Sequence, residues 1–228
     1  MPVRRIPGQR AGLTRAAVLA AARDLLAESG LASLTMRALA RRLDVAPNAL
    51  YSHVASKTGL IDDMLDEVLA EVQEPAIDVE GPIAGLHQLM TSTYAVLLAH
   101  SDLVPLYLAR QGARGPNAQR LGDTMITLLA RSGVHGPAAR EALRVLIVYT
   151  IGFAAFTTRP LIDPPIEIEA RQQLTTGEML DNFTNGLRWL LAGIVTHGNS
   201  SGNDHPVLGA AGLQPGGGIA QEQPASPG

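Results

Sequence analysis

The chain has 228 residues, 46% hydrophobic and 17% charged, with a net charge of −3 and no cysteine. That is enough apolar material for one or two domains with cores of their own, and it excludes a disulfide framework or thiolate chemistry. The charge is unevenly placed: residues 1–60 hold nine Lys/Arg against three acids, a local +6, and the remainder holds nine against eighteen, or −9. A small basic module joined to a larger acidic one implies a polyanion partner for the first alone. No apolar run reaches the roughly 18 residues of a membrane span, and MPVRRIPGQR lacks the apolar core of a secretory signal. A cytoplasmic protein with no membrane partner is expected.

Residues 1–12, with Arg4, Arg5 and Arg10, read as a flexible basic arm. Helical periodicity takes over at Thr14, an N-cap before Ala17, Val18, Ala21, Leu25 and Leu26, with Gly30 as the stop. Thr35 opens a second, short helix through Leu43, with Met36, Leu39, Ala40 and Leu43 on one face. After a break at Asp44-Val45-Ala46, a third helix enters at Pro47, where a missing N–H costs nothing. Ser56 caps a fourth helix, 57–72, with a wide apolar stripe from Leu60 to Val72.

Helices at 35–43 and 47–53, three residues apart, make a helix-turn-helix. In the second, Leu50 and Val54 face inward at i and i+4, leaving Pro47, Asn48, Tyr51, Ser52 and His53 outward. That short, polar and partly flat surface suits base edges and phosphates in a major groove. Arg37 and Lys57, at the starts of the flanking helices, stand as phosphate clamps. Arg41 and Arg42 read instead as a solvated helix face.

The run LTRAAVLAAARDLLAESGLASLTMRALARRLDVAPNALYSHVASKTGLIDDML, from residue 13, resembles the DNA-binding domain of the tetracycline-repressor (TetR) family of bacterial regulators. The resemblance implies phosphate contacts from Thr35, Arg37, Tyr51, His53 and Lys57, with Met36 among them. Base reading would fall to Pro47, Asn48, Ala49 and Ser52. Two positions depart from the family: Asp44 stands where a turn glycine is common, and Pro47 replaces a longer polar side chain. Asp tolerates a left-handed turn better than most residues, whereas Pro47 has no side-chain hydrogen-bonding group, so the operator need not resemble that of the family's namesake.

The second module spans 82–197, with helices at about 82–99, 102–112, 116–132, 137–158 and 175–196. The whole chain is thus expected to be all-α, with a helix-turn-helix domain over 13–74, a helical ligand-binding and dimerisation bundle, and about nine helices. Residues 198–228, rich in Gly, Ser, Pro, Asn and Gln, read as a disordered tail. "YAVLLAHSDL" resembles the tetracycline-repressor C-terminal domain more weakly. The helix at 137–158 is apolar on nearly every side, so it is expected to be buried all round. Leu143, Ile147 and Ile151 on it, with Phe183, Leu187, Leu190 and Ile194 on the last helix, are the expected homodimer interface, where Gly186 and Gly193 would permit close approach. Met90, Tyr94, Tyr107, Arg110, Gln111, Met125, Tyr149 and Phe153, with His87, are polar or soft residues on apolar helices and candidates for a ligand pocket.

These features describe a homodimeric regulator, a repressor released from a pseudo-palindromic double-stranded DNA operator by a small apolar effector. The alternative is a DNA binder without a small-molecule effector, governed by a protein partner or by occupancy alone. An enzyme is disfavoured by the lack of a Gly-rich phosphate loop, HExxH or GxSxG. No cofactor and no metal site are expected. In the family's namesake a histidine ligates magnesium; aligning "LLAH", 97–100, with the corresponding stretch puts Tyr107 at that position and Arg110 nearby. That departure implies an effector other than a metal–tetracycline complex, with one acidic or carbonyl group oriented by Arg110 and the Tyr107 hydroxyl.

Overall fold

The computed structural model describes residues 12–76, 81–158 and 174–200; the basic arm, the RPLIDPPIEIEA stretch and nearly all of the tail lie outside them. Among the described residues there are nine α-helices, two short 3₁₀ turns and no strand. The reading head comprises α1 (Arg15–Ser33), α2 (Met36–Arg42) and α3 (Pro47–Leu50), and α4 (Lys57–Val68) leads out of it. The second module holds α5 (Pro82–Ala99), α6 (Val104–Arg110), α7 (Pro116–Arg131), α8 (Gly136–Thr157) and α9 (Thr176–Ser200).

Local chemistry sets the boundaries. Thr14, Thr35 and Ser56 each accept a hydrogen bond from the amide three residues on, at 3.0–3.1 Å, and so start α1, α2 and α4. Gly30 breaks α1 at φ 73°, and one irregular turn follows before the chain reaches Thr35. Asp44 adopts the left-handed conformation, φ 53°, that the family's glycine supplies. The regular part of α3 is only Pro47–Leu50, shorter than the expected 47–53, because residues 51–53 close as turns. Val18, Ala22, Leu39, Leu50 and Leu60 pack behind that surface as the head's core.

The two modules share one continuous core. In the second, α5 lies against α7, α8 and α9. Four of the chain's seven Phe and Tyr residues meet there. Tyr94 stacks on Phe183 at 4.1 Å, and Phe153 and Tyr149 pack round the pair. The Tyr149 hydroxyl donates to the Phe183 carbonyl, over Gly186, where a Cβ would collide with it. Gly186 therefore admits a tyrosine of its own chain. Gly193 has open space beside it.

Most of the residues expected at the interface are packed within one chain. Phe183 and Leu187 are fully buried within one chain, Leu143 packs inward beside Gly122 of α7, and Ile147 and Ile151 face a cavity described below. Leu190 and Ile194 are partly buried along an α8/α9 groove. Nor is α8 buried all round. Val145, Val148 and Phe156 stay exposed along one stripe, and Trp189 of α9, 78% exposed, stands beside Val145 in the same groove. An all-apolar helix carries no periodic signal that separates its packed face from its exposed one.

Phe183→Ala should therefore act as a core truncation, costing about 3–5 kcal/mol. Urea unfolding of the purified protein measures this, and a loss under 1 kcal/mol would contradict the stacked cluster.

Candidate functional site

The first surface is the reading head. Pro47, Asn48, Tyr51 and Ser52 are exposed on and just after α3, with Ala49 and His53 half-buried beside them. Tyr51 is 52% exposed, so its ring is free to lie along a sugar-phosphate chain. Ser52 donates to the Ala49 carbonyl at 2.7 Å, which closes the end of α3. Thr35 uses its oxygen as the α2 cap, leaving its hydroxyl hydrogen for a phosphate. Met36 is half-buried and packs on the core, so it supports the surface.

The cations of the head divide into two sets. Arg42 grips Glu28 through both nitrogens and also reaches Asp24, Arg15 pairs with Asp63, and Arg23 pairs with Glu67. Arg42 is thus a clamp between α2 and α1, where a solvated face was expected. Arg37, Arg41 and Lys57 are exposed and make no ion pair among the described residues. These three keep their full charge for a polyanion.

The second feature is the junction between α4 and the second module. Arg110 donates through Nε and a terminal nitrogen to both oxygens of Asp62, at 2.8 and 2.7 Å. That hydrogen bond raises the Arg110 pKa still further, so the guanidinium stays charged. One turn on, the buried Asp66 carboxylate accepts from the amides of Asn117 and Ala118 and from the Asn117 side chain. It caps the start of α7, whose free amides favour an anion. Gly115 is required there, since a Cβ would run into that carboxylate. His100, at the end of α5, bonds Glu71 at 2.9 Å and lies 3.3 Å from Arg23 of α1.

The third feature is a cavity of about 150 Å³ between α5, α6, α7 and α8. Met90, Thr93 and Leu97 line it from α5, Leu121, Gly122 and Met125 from α7, and Ile147, Thr150 and Ile151 from α8. Tyr107, Gln111, Gly112 and Ala113 form its wall toward α4. Four expected ligand residues therefore meet here: Met90, Tyr107, Gln111 and Met125. Tyr94, Tyr149 and Phe153 belong to the aromatic core, His87 bonds the Thr184 carbonyl, and Arg110 turns away to Asp62.

Tyr107 does two things at once. Its ring lines the cavity, and its hydroxyl donates to the Leu65 carbonyl of α4 at 2.5 Å. Burial first, then the charges of Asp66 and Glu71, push its pKa far above the usual phenol value, so it remains a neutral donor. Sequence reasoning missed Asp62, Asp66, Asn117 and His100. The only trace was two acids spaced i, i+4 on α4, which also fits a solvated face.

Known proteins match the same two modules. The description "Bacterial regulatory proteins, tetR family" matches residues 18–64, and "Tetracyclin repressor-like, C-terminal domain" matches 81–175. The class D tetracycline repressor of Escherichia coli is 30% identical over 200 residues, covering 80% of this chain and 89% of that protein. A TetR variant from Acinetobacter baumannii AYE, solved with minocycline, is 30% identical with a TM-score of 0.66, covering 82% of this chain and 98% of the other. A BioQ protein solved on its double-stranded DNA operator is 26% identical with a TM-score of 0.63, covering 82% and 100%.

Asp66→Ala would strip the α7 amides and the Asn117 side chain of a buried acceptor, a loss of about 1–3 kcal/mol. Urea unfolding should register it. Stability equal to wild type would mean water replaces the carboxylate there.

Proposed function

We infer that this chain, a member of the TetR family of bacterial regulatory proteins, works as a dimeric transcriptional repressor that leaves its operator when a small molecule fills the α5–α8 cavity. The observation that carries this reading is Tyr107, which forms cavity wall and holds α4 by the same side chain. A ligand that displaces the ring also pulls on the helix leading to the reading head. For this to favour release, the ligand must bind the displaced arrangement better than the operator-bound one.

Operator reading needs two heads. One head exposes too few contacts for a long site, whereas a two-fold pair about 34–36 Å apart enters successive major grooves. The exposed stripe of Val145, Val148 and Phe156, with Trp189 beside it, is the surface on which the copies pair. A large apolar patch on a monomer marks such a contact, and a closed two-fold dimer covers it with the same surface of the second copy. The bound BioQ relative and the minocycline-bound TetR relative support the two halves of the reading, operator binding and ligand response.

Two experiments test it. Selection from random duplex DNA should return a pseudo-palindrome. Lys57→Ala should then weaken all sequences alike and lower the salt slope by about one, while Asn48→Ala should change the preferred bases. The absence of any preferred site would sink the reading. For assembly, Val148→Asp should give folded monomers that lose operator binding, because an unpaired carboxylate cannot be buried cheaply at the contact. A dimer of Val148→Asp by light scattering would move the interface elsewhere.

A further inference from the structure

We propose that the α5–α8 cavity takes an uncharged, metal-free ring compound that donates hydrogen bonds inward, such as a phenol or alcohol on one ring or two fused rings. The proposal rests on reading that cavity as the effector site.

Among the described residues its lining contains no Asp, Glu, Lys, Arg or His. Arg110, the one cation expected there, is held by both oxygens of Asp62 outside it. A carboxylate or phosphate entering this space would lose its water with no cation to meet it, which is strongly unfavourable. Magnesium is held by carboxylates and water. The lining supplies no carboxylate and no imidazole, so a metal chelate does not fit these residues.

The polar groups that do line the cavity have a direction. Thr93 donates its hydroxyl hydrogen to the Leu89 carbonyl at 2.8 Å, Thr150 to Leu146 at 2.9 Å, and Tyr107 to Leu65 at 2.5 Å. Each hydroxyl has a single hydrogen. The two threonine hydroxyls, each committed to its own helix, present only lone pairs to the interior whether or not the Tyr107 ring moves. A ligand group inside must therefore donate. The free amide is that of Gln111, whose side chain makes no hydrogen bond among the described residues. It is exposed at the mouth and can meet a carbonyl or hydroxyl at the ligand's outer end. Met90 and Met125 face each other's space from α5 and α7, and thioethers pack well on aromatic rings. A cavity near 150 Å³ matches a small ring system, since one of that size lined by apolar side chains holds benzene.

Calorimetry on the full-length protein with three probes of one ring system decides the point: 2-naphthol, 2-methoxynaphthalene and 2-naphthoate. The naphthol should bind about tenfold more tightly than the methoxy compound, the upper range of one hydrogen bond. It should exceed the naphthoate by more, and bind equally with magnesium or with EDTA. In Thr93→Val/Thr150→Val, which keeps the cavity's volume, the naphthol should fall to the level of the methoxy compound. Naphthoate binding as tightly as naphthol, or binding that requires magnesium, overturns the proposed class. Gly122→Leu adds bulk to the α7 wall of the space and should abolish naphthol binding. If it abolishes naphthoate binding instead, the site stands and only the ligand class fails. Naphthol binding unchanged in Gly122→Leu, or no binding of any probe to the wild type, overturns the cavity as the site and the proposal with it.

Discussion

The N-terminal module is joined to the second one chiefly at α4, with a further contact from His100 at the end of α5 to Arg23 of α1. One side of α4, Leu60, Met64 and Val68, is core, and all three are almost wholly buried. The other side is tied to the second module at Asp62, Leu65 and Asp66 by Arg110, Tyr107 and the first amides of α7. The apolar side is non-directional and tolerates small shifts. The polar side does not, because hydrogen bonds fade within a few tenths of an ångström and steeply with angle. The helix is therefore held laterally by packing and fixed in register by three polar contacts.

The rest of the second module sets where those contacts sit. The aromatic cluster of Tyr94, Tyr149, Phe153 and Phe183 locks α5, α8 and α9 together. Close-packed interiors resist deformation. The cavity lies between this block and α6, so its pliable wall is the one made by Tyr107 and the loop after Arg110. That loop has Gln111, Gly112 and Gly115 at positive φ, 55°, 101° and 152°. Gln111 pays a conformational cost that a glycine would not, and it lines the cavity from that position.

The reading head was almost fully legible in the sequence. Caps at Thr14, Thr35 and Ser56, the inward pair Leu50 and Val54, and the left-handed Asp44 all follow from local rules that act within a few residues. The second module was legible as helices but not as surfaces. On an almost wholly apolar helix such as α8, inward Ile147 and outward Val148 are chemically alike, and only tertiary packing assigns them. Tyr94, Tyr149 and Phe153 were equally suited to a core or a pocket, and neighbours far along the chain decided it. Arg110 and Arg42 show the same limit for charge: each found a carboxylate 14 to 48 residues away, which no local window contains.

The three polar ties on α4 also differ in what an occupied cavity can do to them. Moving a two-state equilibrium from 99:1 to 1:99 takes about 5.5 kcal/mol of differential binding. The Tyr107 bond to Leu65 is worth about 1 kcal/mol net, as neutral hydrogen bonds are. That bond is thus a small part of the balance, and the ligand's preference for one arrangement must come mainly from its own contacts. Tyr107 and Arg110 lie on α6, and Asn117 and Ala118 open α7, with only the loop at 111–115 between them. In the reading proposed above, a ligand against Gln111 and Ala113 would press on the segment that joins the end of α6 to the start of α7. The Asp62 and Asp66 contacts would then share the displacement with Leu65. Charge-assisted bonds of this kind are stronger than neutral ones, so three ties altered in concert change the position of α4 more than one does. The size of the response is thus set by how stiffly residues 111–115 join the two helices.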